Sequence, residues 1–267
     1  MGKFKNFQPS RLQTSLTDSY GCQLKWKKSN LWYKADLEGY ESLSESIISL
    51  LESCITNFNY VNYWMSKEVH DGVVCNCSVS YDFSKGGSIV TLFELLRSLD
   101  FNNLDVFEKS NPKERLNLIM TLQPLMPKVN LAEYLAKCIL LDSLTLNIDR
   151  HLNNLAVIYN NQCLEECPVF DNGLGLLSDV GKFPMSKPLQ TNLYKAKNKA
   201  KPFKSDFKKQ VYLIKDLIDY TLEIDVNKFY KLLDNFDPGD RNDRFERCKQ
   251  VLDIRLNELE GLVWKEL

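Results

Sequence analysis

The chain has 267 residues, a formal net charge of −1, 44% hydrophobic and 26% charged residues. That composition excludes a disordered chain and leaves room for one large domain or two lobes sharing a core. The near-neutral balance implies no special partner by itself, and no apolar run is long enough to span a bilayer.

The N-terminal stretch MGKFKNFQPS lacks the apolar region of a secretory signal, and Asn6 stands where a myristoylation pattern needs Ser or Thr. The expected compartment is therefore the cytoplasm, and delivery into another cell by a signal-less route is compatible with it. The eight cysteines, several of them inside apolar runs, read as small hydrophobes in a reducing compartment. Cys163 and Cys167 read as loop thiols rather than half of a zinc site.

Residues 23–27 and 31–35 alternate apolar and polar around Lys28-Ser29-Asn30, which predicts a β-hairpin. Ile47, Ile48, Leu51, Cys54 and Ile55 form a helical stripe over 43–55. Asp71-Gly72 is a turn signal before a strand over 73–79. Helices are predicted over 89–99, 112–123 and, most clearly, 131–145. A hairpin with strands Leu155–Tyr159 and Pro168–Phe170 follows. A loop-like segment then runs to about 205, and three helices fill 206–265. Strands come first and helices later, so the fold class is α+β, with a boundary at the turn-rich 84–88. No internal repeat is present.

The second hairpin returns the chain so that Asp149, Asn154 and Asp171 converge. An Asp and an Asn at one spot supply oxygen ligands suited to magnesium, which takes few protein ligands and completes its shell with phosphate and water. The other Asp is then free to orient a hydroxyl or accept its proton. That layout is the one phosphoryl transfer by a protein kinase requires. Taken alone, Asp171-Asn172-Gly173 also fits an ordinary turn.

The same chemistry needs a lysine on an early strand and a glutamate on the next helix. Lys34 and Glu45 occupy such places, with Glu41 as the alternative partner. Upstream, SLTDSYGCQLK offers Ser15, Thr17, Ser19 and Gly21 as small residues for a phosphate-cradling loop, but with one glycine it departs from G-x-G-x-x-G.

NIDRHLNN followed by PVFDNG resembles the catalytic and metal-binding segments of the HipA-like and CtkA-like serine/threonine kinases, and of the phosphatidylinositol kinases related to them. The resemblance extends over most of residues 12–175. It takes in the loop before NLWYK, the Ser-Glu at the start of a helix, the strand VVCNCSVSYDF and the helix LAEYLAKCILLDSLTLN. It implies a bilobal protein-kinase-like fold, with a small β-rich N-lobe over 1–86 and a mostly helical C-lobe over 87–267. It implies phosphorylation of Ser or Thr in a protein substrate, using ATP and Mg2+. Asp149 would be the catalytic acid/base, and Asn154 and Asp171 the magnesium ligands. Lys34 would hold the nucleotide phosphates, with Glu45 fixing it and Ser19 and Gly21 in the phosphate loop. His151 would contact the γ-phosphate or brace the loop. Cys77–Tyr81, with Cys77 and Val79, would lie at the interlobe hinge and offer backbone groups to adenine. The chain departs from the pattern in reading Asp171-Asn172-Gly173 where Asp-Phe-Gly is usual. The resemblance is not expected to extend to the extra N-terminal region of HipA, so control by a HipB-like partner does not follow from it.

Between Lys182 and Lys209 nine lysines face one acid, Asp206, a net of +8 that leaves the remainder of the chain at −9. Such a strip suits an acidic or phosphorylated partner, or serves only solubility. Its few aromatics do not favour stacking on nucleic acid. Ser178, Ser186, Thr191 and Ser205 are candidate autophosphorylation sites. Two alternatives to a protein kinase stand: a phosphatidylinositol (lipid) kinase, and a non-catalytic nucleotide-binding scaffold of the same fold.

Overall fold

β1 (Lys25–Lys28) and β2 (Leu31–Ala35) form the hairpin expected from their alternation, turning through Ser29 at φ 56°. The computed structural model describes residues 23–203 and 206–267, so Ser19, Gly21 and Ser205 lie outside the described residues. β2 pairs antiparallel with β4 (Val73–Tyr81), which also pairs with β3 (Trp64–His70), giving the order β1-β2-β4-β3. The β3–β4 turn is the Asp71-Gly72 pair, both at positive φ, as type I′ geometry requires. β3 was not expected, because its polar residues mask the alternation.

Between β2 and β3 lies α1 (Glu41–Glu52), buried on nearly every side. Its serines make that burial possible. Ser44 Oγ donates to the Gly175 carbonyl at 3.0 Å, and Ser49 Oγ accepts from the Tyr63 amide at 3.0 Å.

The helix expected over 89–99 is a strand, β5 (Ser88–Thr91), followed by α2 (Leu92–Leu99). β-Branched Ile89, Val90 and Thr91 pair with β6 (Ala156–Asn160), and a reciprocal Thr91–Glu94 capping box starts the helix there. α3 (Asn103–Lys109) and α4 (Pro112–Met120) follow, the latter capped by Asn111 with Pro112 in its first turn. α5 (Leu131–Thr145) is buried almost all round and runs through the core.

The partner of β6 is β7 (Cys163–Glu166), not 168–170. Asn161 and Gln162 both adopt positive φ and close a tight turn, which places the return strand earlier. Val169 instead bridges in parallel to Tyr60. The stretch expected as loop contains α6 (Leu189–Lys197). The three C-terminal helices are α7 (Phe207–Lys215), α8 (Val226–Asp234) and α9 (Asn242–Leu259). A short parallel pair, β8 (Leu222–Ile224) and β9 (Trp264–Glu266), was not expected.

The main core joins α1, α2, α5 and α7 to α9. A separate small cluster of Tyr33, Ala35, Cys77 and Val79 lies on one face of the four-stranded sheet. The whole is a mixed α/β architecture, and among the described residues no helix is long and apolar enough to cross a membrane.

Candidate active site

Side chains alternate across β2, so Tyr33 and Ala35 enter the small apolar cluster while Lys34 leaves the opposite face. There its ammonium meets Glu45 Oε2 at 3.3 Å and forms a short ion pair with Asp171 Oδ1. The Tyr63 ring lies 5.9 Å from the same nitrogen. Three residues far apart in sequence are thus joined at one point.

Burial disfavours the Lys34 ammonium, but Asp171 and Glu45 more than offset this and hold its pKa well above the usual lysine value. Burial likewise pushes the Asp171 carboxyl up, yet Lys34 and then Lys25 hold it well below the usual range. Lys25 faces Lys34 across the β1–β2 ladder. Glu45 is raised by burial, against the pull of Lys34. The competing candidate, Glu41, is engaged elsewhere. Its carboxylate accepts the amides of Leu37 (3.1 Å) and Gly39 (3.0 Å), tying down the turn that enters α1.

Asp171 sits at φ 60°, a left-handed conformation that Asp tolerates better than most residues. Asn172, in the place of the usual Phe, is a buried polar hub. Its amide donates to Glu45 Oε1 at 2.7 Å, and its side chain donates to Glu52 at 3.0 Å and accepts from Arg150 at 2.5 Å. A Cβ on Gly173 would stand 2.8 Å from Glu45 Oε2, so the close approach of this segment to α1 needs a glycine.

The loop after α5 begins at Leu146, at φ 52°. Asn147 bridges it to the helix, donating to Asp142 at 3.0 Å and accepting the Asp149 amide at 3.1 Å. Arg150 turns inward and is fully buried. It makes a two-pronged pair with Asp142, both contacts at 2.9 Å, and donates to the carbonyls of Asn154 (3.0 Å) and Phe170 (2.7 Å). One guanidinium therefore ties the Asp149–Asn154 loop to the segment that carries Asp171.

Asn154 donates its side-chain N–H to the Asp149 carbonyl at 3.0 Å, and its amide oxygen makes no hydrogen bond among the described residues. His151 Nε2 lies 3.6 Å from Asp149 Oδ2, beyond hydrogen-bond reach, and Nδ1 is buried without a partner. Burial lowers its pKa against the pull of Asp149, which favours the neutral imidazole. Asp149 Oδ1 accepts from Lys201 at 2.8 Å.

Cys77 and Val79 do not lie at a hinge. Both are inside β4, paired to Ala35 and Tyr33 on one side and to Ser66 and Trp64 on the other, with side chains in the apolar cluster. A two-sided ladder leaves their backbone groups no capacity for a ligand. Ser80 and Tyr81 pair on the β2 side alone, and the chain leaves the sheet after Tyr81. Of the candidate acceptor hydroxyls, Ser178 is buried and donates to the Gly173 carbonyl at 2.6 Å, whereas Ser186 and Thr191 are exposed.

Asp142, Asn172, Glu52 and Lys201 were not anticipated. Asp142 carried a usable signal: an acid inside LAEYLAKCILLDSL must find a partner if the helix is buried.

No group of three or more His, Cys, Asp or Glu side chains gathers around a point that would hold a metal among the described residues. The oxygen donors near the Arg150 clamp are instead two carboxylates, Asp149 and Asp171, and the free amide oxygen of Asn154. That hard, sparse set fits magnesium bound together with a phosphate ligand better than a metal caged by protein alone.

No family model matches the sequence, and no curated protein does. Among solved structures, the chain is similar to the crystal structure of a Helicobacter pylori proinflammatory kinase, CtkA, with a TM-score of 0.60 and 16% identity over 88% of each chain. At that identity the likeness is one of fold, and the fold of this chain is kinase-like.

Proposed function

We propose that the protein is an ATP- and Mg2+-dependent serine/threonine protein kinase, transferring the γ-phosphoryl group to a protein hydroxyl and to its own. The observation that carries this reading is the Lys34–Glu45–Asp171 junction, set beside the Arg150-clamped loop of Asp149 and Asn154. In this reading residues 1–86 form the N-terminal lobe and 87–267 the C-terminal lobe. The adenine-facing hinge moves to the segment after Val79.

Lys34 holds the nucleotide phosphates, and Glu45 keeps it in place. Asp171 and the Asn154 amide oxygen hold magnesium, which neutralises charge on the phosphate oxygens when bound. Asp149 orients the acceptor hydroxyl and takes its proton as the oxygen attacks in line. Positioning and charge neutralisation supply most of the rate.

The test is to incubate wild type and Asp149→Ala with γ-labelled ATP and magnesium, then locate label by intact mass and peptide mapping. Label on Ser or Thr in the wild type alone is the expected result, with Asp171→Ala losing both transfer and metal–nucleotide binding. Equal labelling of wild type and Asp149→Ala would remove Asp149 from its role. Absence of ATP binding by thermal shift would remove the reading altogether.

A further inference from the structure

Phosphoryl transfer leaves negative charge on the three equatorial oxygens of the moving group, and a cation beside the catalytic acid stabilises it. The loop that carries Asp149 supplies no such cation. Arg150 is buried and fully engaged with Asp142, Asn172 and two carbonyls, and His151 stands 3.6 Å from the carboxylate. Among the described residues, the one lysine or arginine within ion-pair distance of Asp149 is Lys201, at 2.8 Å.

This contact is built rather than incidental. Lys201 emerges between buried Ala200 and Phe203. Its carbonyl accepts from Gln210 Nε2 at 3.0 Å, and the Phe203 amide donates to Gln210 Oε1 at 3.1 Å. The Pro202 carbonyl accepts from Arg115 at 3.0 Å. Gln210 and Arg115 are themselves buried. The backbone is thus held by interior polar groups, while the side chain remains 46% exposed and open to a ligand. Other lysines of the same strip are paired with carboxylates away from Asp149: Lys182 with Asp179, Lys197 with Glu258 and Lys209 with Asp206.

Resting on the kinase reading, we propose that Lys201 is a catalytic residue that contacts the γ-phosphoryl group of bound ATP, supplied from outside the catalytic loop. In the step it serves, the acceptor oxygen forms a bond to the γ-phosphorus and gives its proton to Asp149. The bond from that phosphorus to the β–γ bridging oxygen breaks, and ADP leaves with its electron pair.

The experiment compares wild type, Lys201→Met and Lys201→Arg for binding of Mg–ATP and Mg–ADP and for transfer to the protein itself. Lys201→Met should leave ADP affinity within about twofold, remove the preference for ATP over ADP, and lower transfer about a hundredfold. Lys201→Arg should restore most of both, since the charge returns. An unchanged ATP:ADP ratio in Lys201→Met refutes the phosphate contact, even where transfer falls, because Lys201 would then act only by holding Asp149. A wild type that binds ATP without transferring it overturns the kinase reading, and the ATP:ADP ratio still decides the role of Lys201.

Discussion

Replacing Arg150 with Met removes the guanidinium from the centre of the site while keeping a side chain of similar length. The structure sets the cost. Asp142, itself fully buried, loses contacts at 2.9 Å to Nε and Nη2, and the carbonyls of Asn154 and Phe170 and the side chain of Asn172 lose their donor. Breaking one side of a buried ion pair costs about 3–5 kcal/mol. For a chain of this size each kcal/mol lowers Tm by roughly 2–4 °C, so a drop on the order of 10 °C is expected. The deficit should also depend on pH. Burial already raises the Asp142 carboxyl, and Arg150 is what opposes that rise. Without Arg150 its folded pKa climbs further above the unfolded value. The folded state then holds its proton more tightly, and stability returns as pH falls. Thermal and urea unfolding at pH 8 and pH 5.5 would show a larger loss at the higher pH. A second change, Asp142→Leu, should recover part of it. A loss below about 1 kcal/mol, or one independent of pH, would refute this account of the clamp.

Glu52 is buried, one oxygen unpaired and the other accepting from Asn172, and burial followed by Glu45 raises its carboxyl well above the ordinary value. Such a group stabilises the fold fully below its unfolded pKa and less as pH rises through the folded one. Glu52→Gln should therefore match wild type near pH 4.5 and exceed it at pH 8 by at least about 1 kcal/mol; equal Tm values at both pH values would count against it. Gly173→Ala places a Cβ 2.8 Å from Glu45 Oε2 and 3.3 Å from Glu41 Cβ, and Glu45 cannot yield without leaving Lys34 and Asn172. The expected loss is about 1–3 kcal/mol by urea unfolding, with weakened Mg–ATP binding, and wild-type values for both would show that the segment has room.

The parts of the site legible in the sequence were those marked by local chemistry. The alternation of NLWYK put Lys34 on a strand, SLSESIISLLE put Glu45 on a helix, and a hairpin was legible between Asp149 and Asp171, although its return strand is Cys163–Glu166 and not 168–170. What could not be read depended on packing between distant segments. Asn172 differs from the usual residue because it must satisfy Arg150, Glu45 and Glu52 together, and none of these is near it in sequence. Lys201 is one of nine lysines in its strip, and only the buried Gln210 and Arg115 single it out. The hinge was misplaced because alternation identifies a strand but not its neighbours. β4 is paired on both sides through Val79, and Ser80 bonds toward β2 in phase with Asp82, so the first free backbone is that of Tyr81 rather than Cys77.

The anchoring of α1 decides where Glu45 stands. Tyr40, wholly buried at the head of the helix, donates its hydroxyl toward the carbonyls of Leu176 and Leu177, at 3.0 and 2.9 Å. Gly39 bridges to Asp179 so tightly that a Cβ would meet the Ser178 carbonyl at 2.1 Å. Swinging the helix outward would break these bonds and uncover Leu43, Ile47, Ile48 and Leu51, all fully buried against the main core. The helix is therefore fixed to the segment that follows Asp171. Lys34, carried on the four-stranded sheet, thus meets a Glu45 whose place is set by the main core rather than by the sheet itself.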